Sequence, residues 1–119
     1  MELNVLKEPL QLCCNSPITG YFRDGFCRTI RDDYGTHTLC AIVTKDFLEY
    51  SASRGNDLMT PIPQWNFPGL KPGDKWCLCA SRWKEARKAG VAPLVDIEAT
   101  HEKALQIIDK ELLLKYRVK

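Results

Sequence analysis

Apolar residues recur along this chain in short runs of changing period, separated by polar breaks. Thr36 to Val43, THTLCAIV, is rich in β-branched residues and follows Gly35, which predicts a buried strand. Thr44 then caps a helix over residues 45–54, with Asp46 in its first turn and Gly55 in the stop position beyond it. Trp76 to Ala80, WCLCA, reads as a second strand after the Pro72-Gly73 turn. Ser81 caps a helix over residues 82–89, ended by Gly90, and Pro93 to Glu98, PLVDIE, is a third strand. Thr100 caps a helix over residues 101–108, and Asp109 caps a last one over residues 110–117. Upstream, in GYFRDGFCR, Asp24-Gly25 lies between two short aromatic runs, the pattern of a two-residue hairpin turn with positive φ at both positions. The expected fold is α+β: two layers, a small mixed sheet, helices mainly on one face and an N-terminal hairpin. Crossovers should be right-handed wherever the strands are parallel neighbours.

Residues 56–74 show no periodicity and carry Pro61, Pro63, Pro68, Pro72, Gly69 and Gly73. Loops of that length in compact domains tend to be functional or disordered, and Trp65 and Phe67 predict that this one is ordered and packs on the body. No repeat or linker divides the chain, so residues 1–119 form a single domain. Charge changes the picture little. The net charge is +2, from 17 basic and 15 acidic residues, without the clustered basic footprint of a nucleic-acid binder. Arg82, Lys84, Arg87 and Lys88 read as one solvated helix face. No secretory signal or membrane span is evident, so a cytoplasmic, reducing setting is expected. There the six cysteines are better read as thiols, metal ligands or a redox pair than as disulfides.

In KPGDKWCLCASRWKE, strand alternation puts Cys77 and Cys79 on one face and Trp76, Leu78 and Ala80 on the other. Their Cα atoms would be roughly 6.6 Å apart, but parallel side chains on one strand rarely reach disulfide geometry. Both thiolates could instead hold a metal, zinc being the candidate, although C-x-C is a weaker signal than the C-x2-C knuckle. The third reading is two small buried apolar residues. Cys40 shares a strand face with Thr38 and Ile42, opposite His37, Leu39, Ala41 and Val43, and reads as a buried thiol. His37 is either a site residue or an ordinary strand-end histidine.

His101 joins Ala104, Leu105 and Ile108 on the apolar face of its expected helix. It is either a satisfied core histidine, or a general base or cysteine partner oriented by Glu98, Glu102 or Asp57. THEKAL lacks the second histidine of a zincin. Asn56 and Asp57 either bind a ligand or anchor the loop through an Asx turn. No nucleotide-binding or serine-hydrolase motif occurs.

The segments TGYFRDGFC, GNDL, FPGLKPGDKWCLCASRW and EATHEKAL resemble a family of small, mostly bacterial proteins of uncharacterised function. The resemblance spans nearly the whole chain. It carries over to His37, Cys40, Gly55, Asn56, Asp57, residues 67–74 and 76–80, Trp83 and residues 100–102. Members often have a second cysteine where Phe26 stands here. The family implies a small α+β domain and no known reaction.

Two functional readings follow. In one, Cys77, Cys79 and His101, with Asp57 and His37 nearby, form a thiol or metal site beneath the Pro-rich loop. In the other, the cysteines are structural and the domain is a non-catalytic module for a small molecule or peptide. Its apolar groove would be lined by Trp65, Phe67, Trp76 and Trp83, with Asn56 and Asp57 fixing the ligand.

Overall fold

The β-branched run after Gly35 does supply the central strand. A computed structural model describes residues 2–14, 19, 24–28, 37–65 and 67–118, with Trp65 by its backbone alone. Strand β1 (Leu39–Ile42) lies between β2 (Lys75–Leu78) and β3 (Leu94–Val95). Both pairings are antiparallel. Leu39 faces Leu78, Cys40 faces Cys77, Ala41 faces Trp76 on one side and Val95 on the other. The parallel crossovers allowed for in a mixed sheet are therefore not needed between these strands. A parallel contact does occur as a bridge between Val95 and Arg117.

Helix α1 (Lys45–Ser53) begins as expected, with the Thr44 hydroxyl accepting the Phe47 N–H at 3.1 Å. Helix α2 (Ala80–Lys88) starts two residues early, with Cys79 rather than Ser81 at its N-cap. Helix α3 (Lys110–Lys115) follows Asp109. Alternation then divides the sheet. Leu39, Ala41, Val43, Trp76, Leu78 and Val95 join Phe47 and Leu48 of α1 and Trp83 and Ala86 of α2 in the main core. The residues between them, Cys40 and Cys77, point the other way and join Cys13, Cys27 and Ala99 in a second buried cluster.

Two expected elements are shortened. PLVDIE pairs only over Leu94–Val95, because the chain then tightens into a 3-10 turn, Ile97–Ala99. The helix expected over residues 101–108 is instead a 3-10 turn, Glu102–Gln106. Its start is taken by extended chain. The His101 N–H donates to the Thr38 carbonyl at 2.7 Å and the Glu102 N–H to Leu3 at 3.0 Å, while His101 bridges Asn4. Thr100 does not cap this turn. Its hydroxyl accepts the Cys40 N–H and donates to the Asp96 carbonyl, tying β1 to the chain after β3.

The N-terminal residues 2–14 have no helix or strand of their own. Buried Asn4 holds them: its amide donates to the Glu98 carbonyl, and its oxygen accepts the Leu6 and Glu8 N–H groups. Residues 20–23 of the expected hairpin lie outside the described residues. At its centre Gly25 has φ +88°, but Asp24 is not in the left-handed region; its carboxylate accepts the Phe26 N–H in an Asx turn instead. The outer edges of the sheet are both covered. The Cys77 N–H of β2 donates to buried Thr19, and β3 takes Tyr116 and Val118 alongside Val95.

The Pro-rich loop is packed, as Trp65 and Phe67 suggested. Ile62 and Phe67 exchange both backbone hydrogen bonds around a 3-10 turn at Pro63–Trp65, and Phe67 and Leu70 are buried in the main core.

Candidate functional site

Four of the six cysteines converge behind the sheet. Cys13 is joined to Cys40 and Cys27 to Cys77, with Cα–Cα distances of 5.7 and 5.2 Å. All four are buried. The two disulfides lie against each other: the sulfurs of Cys13, Cys27 and Cys77, drawn from both bonds, lie within 4.8 Å of one another. Three buried thiolates in that volume could hold a metal ion. This corrects the expectation of a buried thiol at Cys40 and of a thiol pair at Cys77 and Cys79. Cys40 and Cys77 are directly opposed across β1 and β2, yet each bonds a cysteine from the N-terminal part of the chain.

Cys79 does not share this cluster. The strand ends at Leu78, and at the helix N-cap the Cys79 sulfur is 3.3 Å from the Ser81 hydroxyl. Cys14 and Cys79 are the two cysteines outside the disulfides, and both are half-buried.

His101 is 3% exposed, but its ring is directed away from thiol chemistry. The Lys103 N–H donates to Nδ1 at 3.0 Å, so that nitrogen carries no proton, and Nε2–H donates to the Glu2 carboxylate. The proposed dyad of His101 with Cys77 or Cys79 has no ring nitrogen left to form it. His37 is half-buried two residues before β1.

The loop residues serve the loop. The exposed Asp57 carboxylate accepts from the Thr60 hydroxyl at 2.5 Å and from the Met59 N–H at 2.9 Å. Those bonds, the hydroxyl first, hold its pKa below the usual 3.8. Asn56 gives its N–H to Ser51 and takes the Ser51 hydroxyl on its carbonyl. The aromatic groove is filled from within. Phe67 packs edge-on to Trp76 at 5.2 Å, and Trp83 packs edge-on to Tyr116 at 4.9 Å while donating Nε1–H to the Pro93 carbonyl. Trp83 is fully buried and Phe67 and Trp76 nearly so, so these three are core residues. Trp65 lies outside the described side chains. The loop meets β2 through Trp76, whereas Cys77 faces the opposite side, so the loop does not roof the cysteines.

Sequence reasoning missed Cys13 and Cys27. Cys13 sits in no expected element, Cys27 was read only as part of the hairpin and of the family segment TGYFRDGFC, and the signal for pairing them was the even count of six cysteines. Glu2, the partner of His101, gave no signal at all. Among the described residues, no helix is long and apolar enough to cross a membrane.

The fold and site define a small α+β domain built around a buried four-cysteine centre. No curated protein matches the chain. It belongs to the family described as an uncharacterized protein conserved in bacteria (DUF2237), which matches residues 3–117.

Proposed function

We propose that this protein works through the four-cysteine centre, as a thiol site that binds zinc when reduced and forms two disulfides when oxidised. One observation carries the reading: sulfurs from two different disulfides lie within 4.8 Å of one another in a buried cluster. Stapling the fold would not require the two bonds to touch. Four thiolates around zinc, each at about 2.3 Å, sit roughly 3.8 Å from one another. Opening both disulfides leaves the Cys13, Cys27 and Cys77 sulfurs within 4.8 Å of one another, and Cys40, released from Cys13, is the fourth ligand that must swing in.

The conversion balances with a peroxide as oxidant. Four zinc-bound thiolates and two hydrogen peroxide molecules, with four protons, give two disulfides, four waters and a released zinc ion. Each new S–S bond gives up two electrons, which break one O–O bond. A cytoplasmic setting suits this cycle, because thiols prevail there until an oxidant arrives.

The test is zinc content of the full chain purified under reducing conditions without chelator. About one zinc per chain is expected, released by peroxide together with formation of the Cys13–Cys40 and Cys27–Cys77 cross-links in a peptide map. Native-state disulfides that resist dithiols until the protein unfolds, with no zinc taken up afterwards, would make the bonds structural staples and end the proposal.

A further inference from the structure

Ala99 and Thr100 of the EATHEKAL segment pack against and tie the cysteine centre, and the residues after them build a second site. A cavity of about 510 Å³ opens where the N-terminal segment crosses the 3-10 turn at Glu102, lined chiefly by Glu2, Lys7, His101, Glu102, Lys103 and Gln106. Three separate observations mark it. His101 is 97% buried in its wall, by the 3% exposure given above, and holds the Glu2 carboxylate through Nε2–H. Lys7 has φ +65°, and among the described residues no other non-glycine residue has positive φ. Such backbone strain persists where the surroundings over-determine it, often at ligand clamps. Here it accompanies a Lys7 ammonium 2.7 Å from the Glu102 carboxylate, and that hydrogen bond, partly opposed by desolvation, lowers the Glu102 pKa. Finally, the Lys103 ammonium makes no hydrogen bond or ion pair with the described residues, although its own N–H caps His101.

The charges are therefore sorted. Glu2 spends one oxygen on His101 and Glu102 one on Lys7, so the second oxygen of each and the Lys103 ammonium are left among the residues that line the cavity. Glu2 also lines a second cavity of about 320 Å³, with Pro9, Leu10 and Phe26 as its apolar wall and the ion-paired Asp24 and Arg28 beside them. A ligand that satisfies both compartments carries a carboxylate for Lys103, an ammonium for Glu2 and an apolar group for the Pro9–Leu10–Phe26 side. We infer that the Glu2–His101 cavity binds a small zwitterion of the α-amino-acid type with an apolar side chain. The buried imidazole acts as a positioning residue: it fixes the Glu2 carboxylate and need not touch the ligand. This site does not depend on the cysteine reading.

The full chain as purified, isotopically labelled, is titrated with L-leucine, with acetate and ethylammonium as single-charge controls. Saturable amide shifts at Lys7, Glu102 and Lys103 are expected, with L-leucine binding at least about tenfold tighter than either control. Lys103→Gln and Glu2→Gln should each weaken L-leucine about tenfold and leave the dispersion of the spectrum unchanged. Three outcomes overturn the assignment: no saturable shift up to about 10 mM L-leucine, acetate binding as tightly as L-leucine, which would make it a plain anion site, or unchanged affinity in both variants.

Discussion

Gly69 shows how little room the Pro-rich loop leaves. Its φ is +82°, and a Cβ built there would stand 2.3 Å from the Met59 carbonyl oxygen. Backbone cannot yield as a flexible side chain would, so Gly69→Ala should destabilise the fold by about 2–4 kcal/mol in denaturant titration. A loss under about 0.5 kcal/mol would show that the loop moves aside at no cost. Asp57 makes a gentler test of the same loop. Its folded pKa is depressed, so its contribution is fully present above 3.8, its ordinary value, and is lost as pH falls through the lower folded value. The Met59 and Thr60 amide resonances should titrate with a midpoint below 3.8; a midpoint at or above that value would contradict the hydrogen bonds. At this scale the sequence was informative where period alone decides. Alternation correctly set Cys40 against Leu39, Ala41 and Val43. It could not say what Cys40 would bond, because Cys13 comes from chain with no period to place it.

Elements were legible wherever a local signal was also the strongest one. Thr44 and Gly55 bound α1 closely because capping is settled within a turn of chain, and Thr44→Ala should cost about 1 kcal/mol, read as a fall in melting temperature. An unchanged melting temperature would mean that packing of Phe47 and Leu48, not the cap, sets where α1 begins. The stretch from Asp96 to Ile108 misled because distant chain competes there. Backbone groups of residues 100–102 pair with Thr38, Leu3 and Val5, and those bonds hold extended the residues that periodicity assigned to a helix. The candidate site failed in the same way. Trp76 and Trp83 suggested a groove by composition, but whether an aromatic residue lines a surface or fills a core is decided by what packs over it.

For the whole molecule, the two cross-links matter most because they close long stretches of chain, with separations of 27 and 50 residues. On loop-closure entropy each constrains the unfolded chain by about 3–4 kcal/mol. Reduction in the presence of a chelator should therefore lower the unfolding midpoint sharply. Adding zinc to the reduced protein should restore much of it, since a ligand that binds only the folded state stabilises by mass action. A midpoint indifferent to both treatments would separate the cysteines from stability and from metal alike. The Asn4 side-chain amide and the Val5 and Gln11 N–H groups, bonded to the chain at residues 98–100, should keep residues 2–11 in place throughout.

The way β3 is finished has a consequence for how these molecules behave in a crowd. That strand is only two residues long, Leu94 stands exposed, and its outer side is occupied by Tyr116, Arg117 and Val118. Were proteolysis to nick the chain after Lys115, the Val95 N–H and carbonyl would lose their partners and face solvent beside the exposed Leu94, an opening for intermolecular strand pairing. Colloidal solubility of the protein at high concentration thus rests in part on the three residues that close this edge.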